Sequence, residues 1–367
     1  MRLIGAIFGL ILIFIILWDA FETVILPRRV TRRIRLTNLF YSSIWEPWSI
    51  FVKRLSNGRK REKYLGLFGP LSLLMLLGVW AVGLIVGYAL LLWAANSRLS
   101  TTAETVVTFS TYLYLSGVTF FTLGYGDIAP VFPLGRVLVV IEAGNGFGLL
   151  AIVISYLPVL YEAFSRREAS ISLLDARAGS PSSAVELLRR HRAEDSFDDL
   201  NRLLSEWERW SAELLESHLS YPVLCYFRSQ HDNQSWLRAL TTVLDTCALV
   251  MVGVEGAPVW QARMTFAMAR HAVVDIAQVF RTAPSAPDSC SGRLTSEELQ
   301  RLREILAKNG IQLPAGVEIE KRLSELRMMY EPYVFALSEW LMMPLPPWIL
   351  PPNAIDNWKT SAWGRIQ

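Results

Sequence analysis

Thr122-Leu123-Gly124-Tyr125-Gly126-Asp127 decides how this 367-residue chain is read. Glycine occupies two alternate positions, Gly124 and Gly126. The carbonyls of an extended strand all point to one side only when alternate residues adopt positive φ, which glycine does without steric cost. A ring of such strands would stack oxygens that replace the water around a bare cation. The Thr122 hydroxyl can add a ring at the inner mouth, and the Tyr125 ring can wedge the strand from behind.

A short Gly-Tyr-Gly also occurs in ordinary turns, so the flanks matter. Thr105 to Phe121 reads as a short, mostly apolar helix, with Thr101, Thr102 and Glu104 as its starting signals. Leu71 to Ala95 is an uncharged run long enough to cross a bilayer. Leu134 to Tyr161 is a second long apolar stretch after the loop. The order is therefore span, half-helix, loop, span.

From about Leu71 to Tyr161 the chain resembles the pore of the potassium channel superfamily, whose selectivity filter reads Thr-x-Gly-Tyr-Gly-Asp. The resemblance implies that Thr122, Leu123, Gly124, Tyr125, Gly126 and Asp127 form the ion path. Potassium would be held at Thr122, Leu123, Gly124 and Tyr125. Leu134 to Tyr161 then corresponds to the inner, cavity-lining helix, with Gly146 at a hinge and Pro158 kinking the segment near its inner end. Glu142 and Asn145 lie one turn apart on that helix. Facing the cavity they would tune conduction, and facing the pore helix they would be structural; the sequence leaves both readings open. Four pattern positions depart from the family. Phe121 stands where a threonine is common, Tyr114 and Leu115 replace a tryptophan pair, and Val118 occupies a position often acidic. No arginine ladder of a voltage sensor is present.

Working outward, Leu3 to Trp18 is an uncharged run, short for a span unless extended to Leu26 past Asp19 and Glu22. No small-x-small cleavage site follows, against a signal peptide. Asp19 and Glu22 share one helix face and either sit among headgroups or pair with a basic residue inside the assembly. The next loop is crowded with Arg28, Arg29, Arg32, Arg33, Arg35, Lys53, Arg54, Arg59, Lys60, Arg61 and Lys63, which makes it cytoplasmic by the positive-inside rule. Leu36 to Phe51, with five aromatic residues between those clusters, suits a segment lying in the inner interface. The loop is also a candidate anionic-lipid site. Leu71 to Ala95 then runs outward and carries Gly83-x-x-x-Gly87, which allows close helix contact. The filter falls at the outer face, the N-terminus is extracytoplasmic and the C-terminal half is cytoplasmic.

The later half is charged and helical. Phe197, Leu200, Leu204, Trp207 and Leu214 are spaced as a coiled coil or, as preferred here, an amphipathic core helix. Trp236 to Val254 is a buried core helix, because Arg238 and Asp245 argue against a span. Thr295-Ser-Glu-Glu298 is a capping box whose helix closes at Gly310. Glu318 to Met343 reads as one helix kinked at Pro332. Ala283 to Arg293 is a linker, and Pro344 to Pro352 an extended strip that binds a partner or packs on the protein itself. His191, His218, His231 and His271 form no ligand spacing and read as surface or core histidines. The run Gly144-Asn145-Gly146-Phe147-Gly148 lacks the preceding strand that a dinucleotide loop needs. Cys225, Cys247 and Cys290, odd in number and far apart, read as reduced thiols without metal.

These observations give an all-α membrane protein. It has three transmembrane helices plus a re-entrant pore helix and filter, followed by an all-α cytosolic domain. Expected divisions are 1–66, an N-terminal span and basic interfacial segment; 67–165, the pore; 166–343, the helical domain; and 344–367, the tail. A single filter segment where four must close the ring implies a homotetramer in the plasma or inner membrane. The expected function is a potassium-selective channel gated through its inner helices by the cytosolic domain. The alternatives are a ligand-sensing receptor or stress effector with a less selective cation pore, and a potassium transporter subunit. A cytosolic ligand of unknown chemistry is expected, and no cofactor beyond the permeant ion. The net charge of +3 favours no nucleic acid, and no catalytic constellation can be assembled.

Overall fold

The chain divides into two units, Met1–Tyr161 and Glu162–Gln367. The computed structural model describes residues 1–26, 35–55, 58–101, 106–192, 197–231, 233–286 and 292–351.

In the first unit α1 spans Arg2–Ala20 and continues as a π turn over Phe21–Ile25. An interfacial-type helix, α2, follows at Leu36–Lys53, and α3 spans Gly58–Ala94. The strand β1 (Leu99–Thr101) pairs antiparallel with β2 (Ile128–Pro130), bracketing α4 (Phe109–Phe120) and the loop 121–127. The last helix, α5, runs from Pro133 to Ala178. Three segments, Arg2–Ile25, Lys60–Ala94 and Pro133–Ala178, are long and apolar enough to cross a membrane. At 46 residues α5 outruns any bilayer, and charged residues, only Arg136 and Glu142 before, become frequent from Glu162, beyond the apolar stretch. It passes Pro158 without interruption.

Two expectations are corrected in this unit. The pore helix begins at Phe109, not Thr105, capped by a reciprocal Thr108–Thr111 box. Thr101 belongs to β1, while Thr102, Glu104 and Thr105 fall outside the described residues. The basic residues Arg28, Arg29, Arg32 and Arg33 also fall outside them.

Helices α1 and α3 run antiparallel, packed through glycine. A Cβ on Gly9 would stand 2.8 Å from the Gly87 carbonyl, and one on Gly83 would meet Ile16 Cδ1 at 2.1 Å. The Gly83-x-x-x-Gly87 face is thus a real helix contact. Asp19 closes the far end of this seam. Its carboxylate accepts from Trp80 Nε1 at 3.0 Å, Thr37 Oγ1 at 2.6 Å and Thr37 N at 3.1 Å. Since Arg35 at the α2 N-cap makes no side-chain cap bond, Asp19 caps α2 from another helix. Glu22 accepts from Trp18 Nε1 at 2.8 Å and faces Arg35 at 3.6 Å. Both acids are buried and held within their own chain, Glu22 beside a basic residue and Asp19 among neutral donors.

The second unit comprises α6 (Ala184–Arg190), α7 (Asp198–Ser220), a 3-10 turn (Pro222–Tyr226), α8 (Trp236–Met251), α9 (Val259–Val279), α10 (Ser296–Lys308), α11 (Val317–Met328) and α12 (Glu331–Leu341), with the end of α5. Helix α8 is buried from Trp236 to Val250, walled by α6, α7, α9, α11 and α12. The coiled-coil positions Leu200, Leu204, Trp207 and Leu214 are buried in this core. The Thr295 box and the positive φ of Gly310 cap α10 as its sequence dictates. One expectation fails here: Glu318 to Met343 is two helices, not one kinked rod. Proline lacks an N–H and suits a first turn, so Pro332 starts α12. In the linker, Pro287 to Ser291 lie outside the described residues, as do Cys290 and the tail from Pro352 onward. Cys225 and Cys247 are buried free thiols whose ionisation burial opposes.

Arg293 organises the acidic core of this unit. It donates to Asp245 Oδ1 at 2.9 Å, Glu331 Oε1 at 3.1 Å and the Pro346 carbonyl at 3.1 Å. Arg327 pairs with Glu331 at 3.1 Å, and Trp348 lies under both guanidinium groups. The strip around Pro346 therefore packs on its own chain.

Candidate functional site

With 12 residues, α4 covers about 18 Å at 1.5 Å per residue, too short to cross a bilayer, so the chain turns back. Its C-terminus supplies the base of the loop. Thr122 N donates to Thr119 O and Leu123 N to Val118 O, both at 2.9 Å. The remaining negative end of the helix dipole favours a cation nearby.

Along the loop φ is +55° at Thr122, +59° at Gly124 and +74° at Gly126. Every second residue is left-handed, which is the alternation that aligns successive carbonyls. Thr122 adopts it without being glycine, and its neighbours hold it there through the α4 carbonyls. Leu123 is 53% exposed and Tyr125 68% exposed in the single chain. Tyr125 therefore finds no wedge inside its own subunit. Asp127 is held by Tyr114, whose hydroxyl donates to Oδ2 at 3.0 Å. Tyr114 thus ties the far end of the loop back to α4.

Behind α4 the open question about Glu142 and Asn145 is answered by geometry. Glu142 is fully buried against Ser116, whose hydroxyl also lies 2.7 Å from the Ile85 carbonyl. Asn145 donates to the Tyr88 hydroxyl at 2.5 Å. The two side chains therefore join α5 to α4 and α3. Gly146 lies on the same packed face: a Cβ there would fall 2.0 Å from the Phe120 carbonyl. Here α5 comes close to the C-terminal end of α4. Pro158 is exposed further along α5.

Sequence reading missed Ser116, Tyr88 and Ser97, the last of which accepts from Tyr112 OH at 3.0 Å through its carbonyl. For Ser116 and Tyr88 the available signal was a polar side chain inside an apolar helix, where lipid offers it no partner.

The family model described as "Ion channel" matches residues 74–162, which contain α4, the loop and the apolar part of α5. A relative, the uncharacterized membrane protein YdjJ of Bacillus subtilis (strain 168), is 23% identical over 193 residues, 52% of this chain and 56% of the relative. The matched stretch spans about half of that relative's length. No solved structure matches the chain. The matching family is one of channels, not enzymes. Residues 74–162 are thus similar to the ion-channel family.

Proposed function

We propose that the protein is a potassium-selective, homotetrameric channel gated through its inner helices by the helical unit. The observation that carries this reading is the alternation of positive φ at Thr122, Gly124 and Gly126 in a loop whose Leu123 and Tyr125 are exposed. An exposed apolar loop of this kind calls for partner subunits, and four copies close the oxygen rings. Thr122, Leu123, Gly124 and Tyr125 coordinate potassium, Gly126 lets the loop continue, and Asp127 anchors its outer end. The basic loop orients the N-terminus and filter outward and the helical unit toward the cytoplasm. Exposed Lys53, Arg54 and Lys63 suit anionic lipid at that face.

Gating follows from α5, a single helix carrying the apolar pore stretch and the charged turns from Glu162 onward. Gly146 is tied to Phe120, so bending is expected below it, toward Pro158. A ligand drives such movement only by binding the open and closed states with different affinity. Reversal potentials in asymmetric KCl and NaCl, with native mass spectrometry in mild detergent, test the reading. Equal permeability to both ions refutes the selectivity, and a monomer or dimer refutes the assembly. Truncation after Arg167 should change open probability while sparing conductance, and unchanged gating refutes the role of the helical unit.

A further inference from the structure

Within the second unit the charged end of α5 is held by Arg167. Its guanidinium is buried and all five of its N–H groups are used. Nε and Nη2 donate to Glu168 Oε1 at 3.0 and 2.9 Å. Nη2 also donates to the Phe227 carbonyl and Nη1 to the Leu224 carbonyl, both at 2.9 Å. The last N–H of Nη1 points at His218 Nε2, 3.2 Å away.

The tautomer of His218 follows from its other nitrogen. Nδ1 lies 2.8 Å from the Leu214 carbonyl, which can only accept, so Nδ1 carries the proton. Nε2 is therefore a bare acceptor for Arg167. A second proton on Nε2 would set N–H against N–H and cation against cation. The groups around the ring offer no compensation. From α7 come the Leu214 carbonyl and the Ser217 hydroxyl, and from α8 the uncharged ring of Trp236 at 5.2 Å. From α5 comes Arg167, itself paired with Glu168 and acted on by the buried Cys225 thiol of the 3-10 turn. Burial and the facing guanidinium hold the imidazole well below its ordinary range.

We propose that His218 is a proton-binding site that latches the cytosolic end of α5 when neutral and releases it when charged. This regulatory role rests on the gating reading above, while the latch itself does not. In the latched state His218 stays neutral, whereas in the released state it returns to an ordinary pKa of about 6.5. The proton therefore binds the released state better and shifts the population toward it. Stability of the latch is complete above about pH 6.5 and falls by up to tenfold per unit below it. Between pH 7.5 and 5.5 the released population rises about tenfold.

The test is hydrogen exchange across Leu214 to Phe227 in the full-length protein, corrected for intrinsic rates, at pH 7.5 and 5.5. Open probability is recorded with the same pH steps on the cytoplasmic side. Wild type should exchange about tenfold faster through the released state at pH 5.5. His218→Gln, whose amide oxygen still accepts from Arg167, should show no such step. Equal pH responses of wild type and variant overturn the latch. If His218→Gln does not fold, a titration of carbon-13-labelled histidines in the wild type decides. His218 should titrate well below its ordinary range, and an ordinary value near 6.5 overturns the latch. Open probability moving about tenfold with the exchange step supports the full proposal. An exchange step with flat open probability leaves the latch standing and overturns the gating reading.

Discussion

The two units bury their acids differently. In the first, Asp19 is met by Trp80 and Thr37, and Glu142 by Ser116, all neutral groups, while Glu22 near the helix end also faces Arg35. In the second, Asp245 and Glu331 are met by Arg293 and Arg327. The difference reflects the solvent in which each unit folds. Lipid is as apolar as leucine, so helices there gain little from hiding apolar side chains and associate by close approach and hydrogen bonds. The Gly9–Gly87 seam, the Gly146–Phe120 contact and the Asp19 cap are of that kind. In water, burying α8 supplies the driving force, and charges taken inside need counter-charges of good geometry. Few atoms carry specificity in the pore unit, whereas a whole periodic face carries it in the helical unit.

That contrast is most exposed to failure at two glycines. Gly146→Ala puts a methyl into the Phe120 carbonyl, which is backbone and cannot swing away. Gly124→Ala adds no clash but costs about 1–2 kcal/mol per subunit for its left-handed φ. Both should remove most potassium current in planar bilayers, while thermal unfolding of the helical unit stays unchanged. If conduction survives Gly146→Ala, the pore unit is softer than its contacts imply.

Arg293→Met is the reverse case. It leaves Asp245 and Glu331 buried with less compensation and should cost about 3–5 kcal/mol, seen as a lower denaturation midpoint of the helical unit. Ion selectivity should not move. A loss below about 1 kcal/mol would mean that the two units do not differ as argued.

Asp19→Asn is expected to be milder, about 1–2 kcal/mol, because the amide keeps one acceptor while its NH2 meets a donor. Detergent-solubilised protein should melt earlier and α2 should become accessible to protease. The smallest effect belongs to Tyr114→Phe, which deletes one exposed hydrogen bond to Asp127. Faster decay of current during sustained opening should report it, with unchanged ion preference.

The legibility of the two units followed the same division. The loop was readable because its chemistry is backbone chemistry, and glycine spacing advertises φ directly. The Leu200, Leu204, Trp207 and Leu214 face was readable because water imposes a helical period. In α3 and α5 apolar residues occur on every face, so nothing in their pattern says which side meets which helix. The facing of Glu142 and Asn145 and the constraint on Gly146 were invisible for that reason. The α4 start was misplaced because Thr101, Thr102 and Glu104 offered cap chemistry several residues before Thr108 took the role. Pro332 misled in a different way: a proline after a long helical pattern marks a new start as readily as a bend.

The Asp19–Trp80 bond also sets a timetable for making the protein. The two residues are separated by 61 positions. At 5–20 residues per second a ribosome needs roughly 3–12 s to deliver Trp80 after Asp19. Throughout that interval α1 lacks its glycine seam, and its carboxylate has at most Thr37 for a partner. The helix must therefore enter the bilayer on its own lipophilicity and wait there. Substitutions that add polarity to α1 should fail at the translocon, before packing is ever attempted, and equally polar substitutions in α3 should fail later, when α1 is already in place to receive it.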